Sequence, residues 1–140
     1  PNMKRLTPQL CVDDVIRTVT FYSDVFGFKF IMGAETGSRE ITVSWVEEQP
    51  LDWAIMNCGD VEIMFQSREY VKKHLPQCSL SAPCSQAAFY IEMEDLNDFY
   101  TILKGKVEVL KDISVTFYGM REFYVRDCNG YIIGFAEKAG

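Results

Sequence analysis

WAIMNCGDVEIMF, residues Trp53–Phe65, and FYVRDCNGYIIGF, residues Phe123–Phe135, are two versions of one pattern set 70 residues apart. Each holds an alternating strand-like run, a pair of turn residues and a second run. The turn pair is Gly59-Asp60 in the first copy and Asn129-Gly130 in the second. Asn-Gly is a strong hairpin signal because both central residues of a type I′ turn need positive φ. Both copies are predicted to be β-hairpins with two-residue turns.

The repetition extends upstream of each hairpin. Thr7–Val12 and 86–91 read as short apolar-rich strands. Each runs into acidic residues, Asp13-Asp14 and Glu94-Asp95, which suit a helix N-cap and the positive end of the helix dipole. Val15, Thr18, Val19 and Tyr22 then fall at helical spacing, as do Leu96, Phe99, Tyr100 and Leu103. Gly27 and Gly105 stand where a helix C-terminal cap belongs, and strands 28–32 and 106–110 follow them. The unit is therefore β-α-β-β-β, written twice, which makes an α+β fold of two tandem modules. Residues 5–66 form the first module and 86–137 the second, within a single domain covering 1–140. A connector, 67–85, joins them, with a short helix expected over 67–74 and a Ser/Pro-rich linker over 76–83. The segment 34–50 is an insertion in the first module; its alternating run Ile41-Thr42-Val43-Ser44-Trp45-Val46 is either an extra strand or a lengthened one.

Chain totals limit what this fold can do. At 140 residues the chain should bury roughly 68–70% of its unfolded surface, enough for a core without metal or disulfide staples. No apolar run approaches the ~20 residues of a membrane span, and Pro1–Thr7 lacks a signal-peptide pattern. Twenty acidic residues against 14 basic ones leave a net charge of −6 without a basic stripe, which argues against nucleic acid as a partner. Five cysteines, an odd number with no CxxC pair, fit neither a disulfide framework nor a zinc ribbon. A cytoplasmic protein is expected.

Strand parity sorts the side chains into two faces. Pro8, Leu10 and Val12, Val61, Ile63 and Phe65, Ala87, Phe89 and Ile91, and Tyr131, Ile133 and Phe135 form an apolar set that should lie under the helices. The opposite set mixes Thr7, Gln9, Cys11, Glu62, Met64, Gln66, Gln86, Tyr90 and Gly134. It is too polar for dry core and too apolar for a simply wet face, as expected of a concave surface lining a cleft or of a half-solvated sheet.

The runs LTPQLCVDDVIRTVTFYSDVFGF (Leu6–Phe28), GDVEIMFQ (Gly59–Gln66) and YGMREFYVRDCNGYIIGF (Tyr118–Phe135) resemble the glyoxalase, bleomycin resistance protein and extradiol dioxygenase group, the vicinal oxygen chelate superfamily. The resemblance covers nearly the whole chain. It implies modules whose curled sheets enclose a cleft, commonly completed by pairing of two chains, so a homodimer is expected. Metal-using members carry ligands at positions that fall here on Thr7, Met64, Gln86 and Gly134. Of these only Gln86 has a plausible ligand side chain, and the one histidine, His74, lies in the connecting segment. The resemblance is thus nearest to the metal-free, bleomycin-resistance-like members. It implies no cofactor, no catalytic residue, and the sequestration of an organic ligand, such as a cationic or aromatic antibiotic. The alternative is a metal-dependent glyoxalase-type lyase, isomerase or dioxygenase with a displaced set such as Gln9, Glu62 and Gln86.

The candidate ligand-binding residues are Gln9, Trp45, Glu62, Met64, Gln86, Tyr90 and Arg121. Glu62 would be a general base or an anchor for a cation, or else a surface carboxylate near a turn. Gln9 and Gln86 would bond a ligand or each other. Trp45 and Tyr90, with Trp53 and Tyr124, offer stacking surfaces or core filling. Arg121 and Arg126 would clamp an anionic group, unless Arg126 only pairs with Asp127 or the turn.

Overall fold

A computed structural model describes residues 1–76 and 87–140, so the expected linker over 76–83 beyond Pro76, and Gln86 itself, lie outside the described residues. The chain divides into two compact units, Pro1–Ser81 and Ala82–Gly140. Each is built on its own sheet.

In the first unit β1 (Gln9–Val12) leads through Asp14 into α1 (Val15–Phe21). The Asp14 side chain accepts from the Arg17 N–H, as an N-cap should. The helix widens into a π turn over Tyr22–Phe26 and ends at Gly27, whose φ of 79° lies in the left-handed region that glycine enters without cost. Then come β2 (Lys29–Glu35), β3 (Ile41–Thr42), β4 (Leu51–Cys58), β5 (Val61–Ser67) and α2 (Arg68–His74), the last capped by the Ser67 hydroxyl. The sheet order is β1-β5-β4-β2-β3, with β1 parallel to β5 and the other pairs antiparallel. The predicted stripe Val15, Thr18, Val19 and Tyr22 is buried with Leu10, Val12, Ile63 and Phe65. Tyr22 meets Phe26, Phe28 and Phe65 edge-on at 4.8–5.5 Å, contacts worth about 0.5–1.5 kcal/mol each beyond area burial.

The second unit repeats the plan: β6 (Ala88–Glu92), α3 (Leu96–Leu103), β7 (Glu108–Val115), β8 (Met120–Arg126) and β9 (Ile132–Lys138). Its order, β6-β9-β8-β7 with β6 parallel to β9, matches β1-β5-β4-β2 strand for strand, and β3 is the addition. Phe99 and Tyr100 of α3 contact Phe123 and Phe135 at 4.9–6.4 Å, while Leu96, Leu103, Val125 and Ile133 are buried.

Several expectations need correction. The first hairpin has its two-residue turn, with Cys58 opposite Val61. The second does not: Asn129 lacks a positive φ, and Cys128, Asn129 and Gly130 form a three-residue loop closed by Asp127 N–H to Tyr131 O at 2.8 Å. Buried Asp127 dictates this, its carboxylate accepting from the Asn129 and Tyr131 N–H groups at 2.8 Å each. Glu94-Asp95 does not cap α3 through a side chain; Asp95 sits at φ 58° and makes no capping bond. Glu137 of β9 does so instead, accepting from the N–H of Asp95 at 2.8 Å and of Leu96 at 3.3 Å. The strand after Gly105 starts later and runs further than expected, Glu108–Val115, and β2 likewise continues to Glu35. Of the run from Ile41 to Val46 only Ile41-Thr42 pairs, with Gly33 and Ala34 of β2, so that run is mostly not strand.

Candidate functional site

Alternation along β8 sends Phe123 and Val125 toward α3, and Glu122 and Tyr124 to the other face. On that face one cross-strand row runs Tyr90, Gly134, Tyr124, and the next runs Glu92, Ala136, Glu122. Glu122 is 3% exposed, an unusual place for a carboxylate. Its Oε2 accepts from the Tyr90 hydroxyl at 2.5 Å, and both of its oxygens lie 3.3 Å from the Tyr118 hydroxyl. Among the described residues no ion pair joins it to a Lys or Arg. The buried carboxylate therefore rests, among the described residues, on the Tyr90 and Tyr118 hydroxyls.

The phenols register that charge. Partial removal of the Tyr90 hydroxyl from water, followed by the Glu122 hydrogen bond and charge, pushes its pKa well above a phenol's ordinary value. Desolvation and then the Glu122 charge push Tyr124 up as well. Tyr90 is nevertheless 46% exposed and Tyr118 57%, so tyrosine surface is open to solvent beside the carboxylate.

In the first unit the face away from α1 carries three of the candidates. Gln9 and Met64 are cross-strand partners, with Glu62 two residues along β5. Gln9 donates to Gln66 Oε1 at 2.7 Å, so its described partner is Gln66. Glu62 pairs with Arg5 at 3.3 Å and accepts from the Thr7 hydroxyl at 3.3 Å. Trp45 lies outside the strands, half-buried, and Trp53 takes the position opposite Gln66. Arg121 lies on the other face of β8 from Glu122, opposite Glu137, and so does not join Tyr90. Arg126 bonds the turn, donating to Gly130 O at 3.1 Å, and approaches Glu108 at 3.6 Å.

Of the four positions aligned with metal ligands, the three that the structure describes offer poor donors. Thr7 already donates to Glu62, Met64 presents a soft thioether, and Gly134 has no side chain. A β-carbon on Gly134 would come within 2.5 Å of the Tyr124 ring, so ring atoms fill the space a ligand there would need. His74 stacks on Tyr70 at 4.0 Å in α2. Among the described residues no three His, Cys, Asp or Glu side chains group around a common point. Thr7, Met64 and Gly134 do not by themselves offer the donor set that a divalent transition ion needs.

Glu122 and Tyr118 escaped the sequence reading. The available signal was parity: in the run from Met120 to Arg126, a carboxylate two places before Tyr124 must share its face.

Residues 4–135 match the Glyoxalase/Bleomycin resistance protein/Dioxygenase superfamily. No curated protein matches the chain. Among solved structures, TioX from Micromonospora sp. ML1 is similar at a TM-score of 0.68 and 14% identity, covering 97% of this chain and 99% of that one. A protein of unknown function from Agrobacterium tumefaciens gives 0.74 at 18% identity, covering 99% and 96%. A glyoxalase/bleomycin resistance protein/dioxygenase from Nocardioides gives 0.66 at 12% identity, covering 99% and 86%. Identities this low speak for the fold alone. No helix among the described residues is long and apolar enough to cross a membrane.

Proposed function

The chain belongs to the glyoxalase/bleomycin resistance protein/dioxygenase superfamily, and on that footing we propose that it is a metal-free binding protein that sequesters a cationic, aromatic organic molecule, such as an antibiotic. The reading rests on Glu122: a buried carboxylate whose only described partners are phenols, flanked by exposed tyrosine rings. A cation laid against the rings would supply the missing counter-charge, and its planar part would stack on Tyr90 and Tyr118. Binding of this kind needs burial, stacking and attraction, with no catalytic group. The net charge of −6 favours the approach of a cation. We place the protein in the cytoplasm as a homodimer.

The test is a fluorescence titration with bleomycin-like and mitomycin-like compounds and with simple aromatic cations, each beside a neutral isostere. Cations should saturate the protein and outbind the isosteres, and Glu122→Gln should weaken them about tenfold. Absence of saturable binding to any of them overturns the proposal. So does a stoichiometric transition metal in protein purified without chelator, which would favour the lyase, isomerase or dioxygenase alternative.

A further inference from the structure

A groove of about 350 Å³ in the first unit, remote in sequence from the Glu122 cluster, is bounded by the loop after β2, the start of β4 and one side of α2. That is the size of a small-molecule pocket. Four charged side chains line it, two of each sign. Of the two acids, Asp52 accepts from the Thr36 hydroxyl at 3.1 Å, and Glu69 is engaged by Lys72 at 3.5 Å. Neither the guanidinium of Arg39 nor the ammonium of Lys73 has a hydrogen-bond or ion-pair partner among the described residues, although both line the groove. The cations without a described partner, Arg39 and Lys73, outnumber the one acid, Asp52, that is held only by a hydroxyl, in a protein that is acidic as a whole.

Two further features shape the groove. Arg39 holds a φ of 60°, a left-handed conformation that side-chain-bearing residues seldom adopt, and its N–H bonds Glu35 O at 3.0 Å. The turn thereby fixes its stem at the rim. On α2, His74 Nδ1 donates to Tyr70 O at 3.0 Å and the two rings, which also line the groove, stack within 20° of parallel. This makes a flat wall beside Lys73.

We propose that this groove binds a small organic anion, its carboxylate or phosphate group held between Arg39 and Lys73 and its planar part against the Tyr70–His74 wall. The guanidinium fork and the ammonium are the donors suited to such an oxyanion. Glu122 takes no part, so this site stands or falls separately from the one proposed above.

His74 is the single histidine of the chain, so its imidazole C–H proton gives an isolated NMR signal at the groove wall. The protein would be titrated at fixed pH and ionic strength with inorganic phosphate and, separately, with benzoate. A saturable shift of the His74 signal is expected with at least one probe, and the responding probe identifies the group. Arg39→Gln with Lys73→Gln should raise the half-saturation concentration about tenfold or more, while Lys111→Gln, the same change on the exposed face of the second unit, leaves it unchanged. Both basic residues are exposed, so the double variant should fold, which its circular dichroism checks. No saturable shift with either probe, or an equal affinity in the double variant, overturns the proposal.

Discussion

The Tyr124 ring lies across Gly134, its cross-strand partner, so closely that a β-carbon at residue 134 would stand 2.5 Å from the ring edge. The contact fills the position at which metal-using relatives are expected to place a ligand. A larger side chain at residue 134 therefore requires the Tyr124 ring to move.

Gly134→Ala should therefore destabilise the protein by about 1–3 kcal/mol through overpacking, measured by urea unfolding. In a Tyr124→Ala background the same change should cost much less, since the ring is gone. Additive costs in this double-mutant cycle would show that the ring moves aside freely.

Removing the Glu122 charge should lower the Tyr90 pKa toward the ordinary phenol value, because two of the causes that raise it are the Glu122 hydrogen bond and charge. Burial, the largest cause, remains, so the return should be partial. The same shift carries a pH signature. With its pKa raised in the folded state, Tyr90 keeps its proton when the unfolded chain has lost it. Stability should fall as pH rises past the ordinary phenol pKa of about 10, and fall less steeply in Glu122→Gln. Phenolate absorbance and alkaline unfolding curves read both effects.

Glu137 caps α3 from a neighbouring strand, accepting from two N–H groups that the helix cannot satisfy itself. Glu137→Ala should cost about 1–2 kcal/mol, and hydrogen exchange at Asp95 and Leu96 should accelerate. Unchanged protection at those amides would mean that water replaces the carboxylate without loss.

Asp127 should matter more than its place in a loop suggests. Asp127→Ala strips the acceptor from the Asn129 and Tyr131 N–H groups and should cost about 1–3 kcal/mol in urea unfolding. Asp127→Asn, which keeps one oxygen, should fall between. Equal stability of all three proteins would show that the loop backbone closes the hairpin unaided.

What the sequence reveals and what it hides follow from the range of the interactions concerned. Periodicity and caps are local, so the stripe from Val15 to Tyr22, the stop at Gly27 and the Ser67 cap are readable residue by residue. The doubled hairpin extends this to topology, since repeated local units imply repeated pairing. Asn129-Gly130 misleads because a side chain two positions earlier, Asp127, outcompetes the dipeptide's own preference. Asp95 misleads because the real cap arrives from a residue 42 positions away. The Glu122 cluster joins two segments, around residue 90 and residues 118–122, and the Tyr90 bond that brings them together spans 32 residues, which no local pattern encodes. Parity alone places Arg121 on the opposite face.

In both units the opening strand pairs in parallel with the closing one, Gln9–Val12 with Met64–Ser67 and Ala88–Glu92 with Ile132–Ala136. On the ribosome this makes each opening segment wait: roughly fifty further residues must be polymerised before its partner emerges, a delay of several seconds at about 5–20 residues per second. Until then an unzipped edge is presented to every neighbouring nascent chain, and the charges of Asp13 and Asp14 immediately behind the first such segment are of the kind that discourages edge-to-edge pairing.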